Sequence, residues 1–178
     1  MSSPRPPQRA ATVQETKALA HPLRLRILRL CGEYELTNKQ LAERLEQDPG
    51  TMHYHVRQLV QAELLEPAPV RSGNSGALEK PYRSTERTWQ LNNPLAGADE
   101  QGQLAPVEAF QDELRAAGPG ALREFERFAL HLSAEQAAEL DLRIHAIINE
   151  YLETDHERLD QPLHGGLFAL HLLAQEPR

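Results

Sequence analysis

Cysteine is almost absent from this chain: Cys31 is the only one. No disulfide framework can form within the chain, and no thiolate cluster can hold a metal inside one subunit. Aromatic residues are scarce as well, at 5% of 178 residues. No apolar run is long enough to span a bilayer, and no N-terminal stretch has the form of a secretory leader. The expected setting is the bacterial cytoplasm, with no membrane partner. Nucleophile motifs, phosphate cradles and closed sets of metal ligands are missing too, so the chain is not read as an enzyme and no cofactor is expected.

Positive charge is short overall, with a formal net charge of −7. It is also unevenly placed. Residues 1–92 hold 13 Lys+Arg against 10 Asp+Glu, a formal +3, whereas residues 93–178 hold 6 against 16, a formal −10. The whole chain is therefore no general polyanion binder, but its first half keeps the basic excess such a role would need. The acidic half is not expected to touch nucleic acid.

What is present is concentrated between Thr37 and Leu65, in TNKQLAERLEQDPGTMHYHVRQLVQAELL. Thr37 and Gln40 have the spacing of a capping box opening helix 38–45, with Leu41, Ala42 and Leu45 on one side. Asp48 is an N-cap and Pro49 suits the first helical position, where its missing amide costs nothing. The second helix, 49–63, repeats Met52, Val56, Leu59 and Val60 on one face. Gly50, Thr51, His53, Tyr54, Arg57 and Gln58 occupy the other. Two short amphipathic helices at this spacing read as a helix-turn-helix, with a third helix behind them over Ala18–Leu30 through Leu19, Leu23, Ile27 and Leu30.

Beyond Leu64 the pattern becomes two strands around a glycine-rich tip at 73–76, the span 64–88 forming a basic hairpin. Pro67, Pro69 and Pro81 each remove a ladder donor and suit an edge. Such a hairpin beside a recognition helix reads as a wing that grips phosphate. The expected partner is double-stranded DNA. Thr51, His53, Tyr54, Arg57 and Gln58 are the candidates for base edges or phosphate, Arg57 being suited to guanine and Gln58 to adenine. Thr37, Asn38 and Lys39 would position the backbone, and Arg71, Lys80 and Arg83 would carry the wing contact. His55 falls near the packed side and reads as structural. Arg24 and Arg26 could either reach phosphate or solvate their helix.

Residues 17–92 resemble the ArsR-type winged-helix transcriptional regulators, through ALAHPLRLRILRLC (Ala18–Cys31), LTNKQLAERL (Leu36–Leu45) and TMHYHVRQLVQAELLE (Thr51–Glu66). The resemblance implies a homodimer that binds a palindromic operator, usually as a repressor. Glu46 departs from it, standing at a turn position where such proteins often have glycine. The cysteine pair of the family's thiolate metal sensors is replaced by Thr37, Asn38, Lys39 and Gln40. A second family site pairs histidines eleven apart across the dimer. His145 and His156 have that spacing, but Arg143 and Leu159 stand where the outer carboxylates belong, so two ordinary helix histidines are expected and no metal.

The second half reads as helical. Helices are expected over Leu104–Ala117, Leu122–Leu132, Ser133–Thr154 and Pro162–Gln175. The third opens on a Ser133–Gln136 capping box and is apolar on more than one side, which calls for burial on more than one side. Dimerisation is the simplest source, through Leu140, Ile144, Ile147, Ile148, Tyr151 and Leu152. The fold class is thus mainly α with a small β-hairpin wing: a disordered tail at 1–11, a winged helix-turn-helix domain at 12–92 and a helical dimerisation region at 93–178. Two alternatives stay open. Trp89, Phe110, Phe125, Phe128, Tyr151 and Phe168 could line a pocket for a small-molecule effector, or the winged helix could serve as a dimeric adaptor making protein contacts.

Overall fold

The structure, a computed structural model, describes residues 9–73, 76–85 and 87–174. The described chain falls into two compact units that divide after Gly118.

The described part of the first unit opens on a strand, so residues 9–10 of the expected tail are ordered. Arg9–Ala10 (β1) pairs in parallel with Leu91–Asn92 (β7). The reason is a carboxylate that composition alone does not reveal: the Arg9 guanidinium donates to both oxygens of Glu15 at 2.9 and 2.5 Å. Glu15 is buried, closes a capping box with Thr12, and is held down to about 2 chiefly by its hydrogen bond from Arg9. Residues 1–8 of the expected tail lie outside the described residues.

The expected helix over 18–30 is two helices, α1 (Val13–Leu19) and α2 (Pro22–Glu33). Proline disfavours helical backbone in the residue before it, and His21 is extended at φ −158°, ψ 124°. His21 caps α2 instead, its Nδ1 accepting from the Leu23 amide at 3.2 Å. Both caps of the helix-turn-helix form as their residues dictate. Thr37 and Gln40 make the reciprocal capping box of α3 (Asn38–Arg44). Asp48 Oδ1 accepts from the Gly50 and Thr51 amides at the start of α4 (Pro49–Gln61).

Both helices also end alike. The Gln47 amide donates to Ala42 O and the Leu64 amide to Leu59 O, both at 2.9 Å, with Glu46 (φ 52°) and Glu63 (φ 56°) in the left-handed region between. These are Schellman terminations carrying glutamate where glycine costs least.

The wing is a larger sheet than a hairpin. Leu36–Thr37 (β2), too short to stand out in the sequence, joins Leu65–Pro67 (β3) and Pro81–Ser84 (β6) in the order β2-β6-β3. Pro81 therefore opens a central strand, where as first residue its missing donor is tolerated. A separate distal ladder pairs Arg71–Ser72 (β4) with Leu78–Glu79 (β5) below the tip. Of the tip itself, Asn74 and Ser75 lie outside the described residues. A short 3-10 turn (Arg87–Gln90) leads to β7.

The last helix of this unit, α5 (Glu100–Ala117), starts four residues earlier than expected because Asp99 caps it through the Gly102 amide at 2.8 Å. It packs on α2, and Arg26–Asp112 (3.6 Å) and Arg29–Glu113 (2.9 Å) pin the two together. α5 thus belongs to the winged unit, although the sequence reading grouped it with the extension. Gly102 faces the α1–α2 junction, where an added Cβ would meet that of Ala20 at 2.7 Å. The core gathers Ile27, Leu41, Met52 and Leu59, each fully buried, with Leu64 and Leu65 from the base of the sheet.

The second unit is organised on one long helix, α6 (Ala134–Glu153), opened by the expected Ser133–Gln136 box. Its 20 residues span about 30 Å. The helices expected at 122–132 and 162–175 are absent: 121–133 and 162–174 have no regular secondary structure. The apolar stripes that suggested them are not buried. Leu122, Phe125, Phe128 and Leu130 are each at least half exposed, and Leu172 almost completely so. Helices this short do not hold in water without a packed face, and Gly165-Gly166 further weakens the second.

Glu46 supplies a direct test of the turn. A glutamate in the left-handed region is strained where glycine is not, so Glu46→Gly should raise stability by about 0.5–1 kcal/mol. Urea midpoints of the two proteins would measure it, and an unchanged or lower midpoint would contradict the strain.

Candidate nucleic-acid interface

α4 presents two chemically distinct faces. Met52, His55, Val56 and Leu59 are buried. Gly50, Thr51, His53, Tyr54 and Arg57 are exposed, with Gln58 at the margin. At 100° per residue these six cover roughly 160° of the helix circumference, about the width a groove can contact. Arg57 has no hydrogen-bond or carboxylate partner among the described residues. Tyr54 stands edge-on to His55, ring centroids 5.2 Å apart, and remains 56% exposed.

The supporting residues are more committed than the sequence suggested. Thr37 Oγ1 is occupied in its own capping box. Asn38 Nδ2 donates to Pro49 O at 3.0 Å, tying the start of α3 to the start of α4. Lys39 is exposed and only loosely paired with Glu43 at 3.8 Å.

The wing arginines are paired across the strands. Arg71 donates to Glu79 at 3.1 Å and to Glu35 O at 3.2 Å, and Arg83 donates to Glu66 at 2.8 Å. Each pair sits at directly opposed positions of its ladder. Arg87 is bound to Glu63 and lies 4.0 Å from Glu15. Lys80, by contrast, is exposed with no partner among the described residues. Strand register is the signal that would have revealed these pairs, and it is not visible until the strands are known.

Behind α4 lies a buried polar cluster. Arg24, 8% exposed, neither reaches outward nor solvates its helix. Its Nε and Nη2 donate to Ala18 O and Lys17 O at 2.5 and 2.6 Å, closing the C-terminus of α1. Its Nη1 lies 3.4 Å from His55 Nδ1, and the His55 ring lies 4.4 Å from that of His21. The structural reading of His55 matches its position. Arg26, the other undecided arginine, faces Asp112.

Burial, then the neighbouring His21 and Arg24, push His55 down to about 4. Burial also lowers His21, with Arg24 adding to the effect and Glu108 opposing it. Both imidazoles are neutral in the fold, and Nδ1 of each is placed to accept.

No three His, Cys, Asp or Glu side chains converge as metal ligands among the described residues. His145 is hydrogen-bonded within its own helix, to Asp141 O at 3.0 Å. Burial pushes the Cys31 thiol up to about 12, which leaves it unreactive. A surface cleft of about 610 Å³ opens beside α1, with Thr16, Lys17, Asn93 and Asp99 on its walls. None of the six aromatics considered for an effector pocket lines it. No described helix is long and apolar enough to cross a membrane.

The cluster predicts acid sensitivity of the winged unit. An unfolded His55 would titrate near 6.5 and the folded one near 4, so between these values the unfolded chain binds more protons. Stability is complete above pH 6.5 and should fall toward pH 4, by on the order of 3 kcal/mol for this group. His55→Gln, which cannot titrate, should flatten the pH dependence of the urea midpoint across that window. An equal slope in the variant would rule His55 out as its source.

Residues 19–68 match the profile of a helix-turn-helix domain family. The matched stretch runs from the end of α1 to just past β3 and includes the whole α4 face. No curated protein matches the chain. Among solved structures, the adhesin competence repressor AdcR from Streptococcus pyogenes is similar at 16% identity over 79% of this chain and 81% of that one, with a TM-score of 0.32. A cysteine-to-serine variant of ZitR from Lactococcus lactis is similar at 15% identity over 84% and 81%, also with a TM-score of 0.32. Likeness of that size transfers neither fold nor function. The domain match and the geometry stand without it: the chain carries a winged helix-turn-helix, the module of DNA-binding transcriptional regulators.

Proposed function

We propose that this protein is a dimeric, sequence-specific transcriptional regulator that acts as a repressor on a near-palindromic operator. α4 enters the major groove and the wing lies against the adjacent backbone. The observation that carries this reading is the outward face of α4, where Thr51, His53, Tyr54 and Arg57, unpaired among the described residues, sit on a helix capped at both ends. Arg57 is the candidate base reader, Gly50 and Thr51 at the helix N-terminus suit phosphate, and Lys80, with no partner among the described residues, is the wing cation that joins them. The repressor role and the operator symmetry follow from the resemblance to ArsR-type regulators.

One observation favours a second reading, a dimeric adaptor making protein contacts. Arg71, Arg83 and Arg87 are already paired with carboxylates, so the phosphate patch is thinner than a residue count implies. Salt dependence separates the two, because phosphate contacts release counterions and protein contacts do not.

Selection from random duplex DNA at two salt concentrations tests the proposal. A single near-palindrome with half-sites about 34 Å apart is expected, bound more weakly at the higher salt. Recovery of no enriched sequence, with no salt effect, would favour the adaptor. On the selected site, Arg57→Ala should cost about 1–3 kcal/mol and relax preference at one base pair of each half-site. Lys80→Ala should weaken all sequences alike and lower the salt slope by about 2 per dimer. A uniform loss from Arg57→Ala would reassign it to phosphate.

A further inference from the structure

α6 holds no buried residue, although its sequence is among the most apolar in the chain. Ala137, Leu140, Ile144, Ile147 and Tyr151 recur at alternating spacings of three and four. This is the a/d seam of a two-stranded coiled coil over the length of the helix. Ile147 is 53% and Tyr151 67% exposed, and Leu140 and Ile144 are only part-covered. The competing frame, through Ala137, Asp141, Ile144 and Ile148, would put a carboxylate in the seam. Of the two frames, only the first is free of charge.

We infer that this stripe is covered by α6 of a second copy, running antiparallel about a twofold axis midway between Ile144 and Ile147. The inference rests on the dimeric reading above and gives it a direction and a register. With Ile144 of one helix opposite Ile147 of the other, Leu140 falls opposite Tyr151 and Ala137 opposite Thr154. The four central seam positions then meet one another, and Ala137 meets the C-cap Thr154, with no charge between.

The flanking charges distinguish the two possible directions. Residues 143 and 150 occupy equivalent g positions one heptad apart, and in the antiparallel register they face each other twice. Arg143 of each copy meets Glu150 of the other. Asp141 faces the apolar Ile148 and meets no like charge. In a parallel pair the same heptads would leave Arg143 beside the apolar Ile148 and Glu150 facing the turn that follows α6, so the attraction is lost. Both charged groups are available for this pairing. Arg143 makes only a loose 3.8 Å contact with Glu139, both side chains being more than two-thirds exposed. Glu150 has no ion-pair partner among the described residues. Exposed pairs of this kind add little strength, and their effect is on orientation.

Cysteine placement reads the direction. In a Cys31→Ala background, Leu140→Cys and Tyr151→Cys proteins would be oxidised separately and after co-expression with distinguishable tags. The antiparallel register sets like positions eleven residues apart, about 16 Å, beyond disulfide reach. Neither variant alone should cross-link, and the co-expressed pair should form the mixed disulfide. Cross-linking of each variant alone, or none in the pair, would overturn the register.

A charge reversal on the otherwise unchanged protein provides an independent reading. Arg143→Glu should weaken the dimer about tenfold in sedimentation equilibrium, and Arg143→Glu with Glu150→Arg should restore it. Failure of the double variant to recover would also overturn the pairing. Neither experiment involves DNA, so its failure stays distinct from failure of the DNA-binding proposal.

Discussion

The winged unit depends on how one buried guanidinium is satisfied. Arg24 sits where α1 ends, α2 begins and α4 passes, and all three elements take their positions relative to it. An Arg in that place costs solvation, which its bonds to the last carbonyls of α1 and its proximity to a neutral His55 offset. The neutrality of His55 is a condition of the arrangement. A charged imidazole would stand beside a permanent cation in a site with little water. Histidine in the packed face of α4 is therefore tied to the arginine behind it, beside the core contacts of Met52, Val56 and Leu59.

Much of this was legible in the sequence because helix termini announce themselves locally. Thr37 with Gln40, Asp48 with Pro49 and Ser133 with Gln136 each occupy the structural role their spacing implies. The phrase His21-Pro22-Leu23-Arg24 was recognisable as a likeness, yet its physical content came only from the fold: cap, first-turn proline and carbonyl clamp. What failed were inferences that needed distant partners. Apolar periodicity at 122–132 and 162–175 looked helical, but periodicity specifies a helix only where something covers the stripe. β2 was missed because two residues carry no period at all. Arg9 reads from the sequence as part of a tail, because nothing local marks Glu15 as a buried acid.

The same blindness to distance affects the charge argument. A formal excess of +3 in residues 1–92 suggested a basic surface, but an excess is only available to phosphate where it is not already neutralised at short range. The wing alternates Arg and Glu across opposed strand positions, so Arg71 and Arg83 are held in line by Glu79 and Glu66. This lowers the wing's field. Under the proposed function, such a wing would gain less from sequence-independent attraction, and the balance of binding would move toward contacts made by α4.

The acidic second unit fits that balance. Its formal charge discourages contact with nucleic acid, leaving its apolar helix for another use, and a helix with no buried residue is not a finished structure. Coverage by a second copy would bury the stripe and also double the recognition surface. Two α4 faces joined rigidly would act on DNA as one ligand, so each protomer's modest contact is multiplied by the effective concentration of the other. Weak phosphate attraction in the first unit and an uncovered apolar helix in the second thus bear on the proposed function together: where charge supplies little of the binding, a second copy would have to supply the rest.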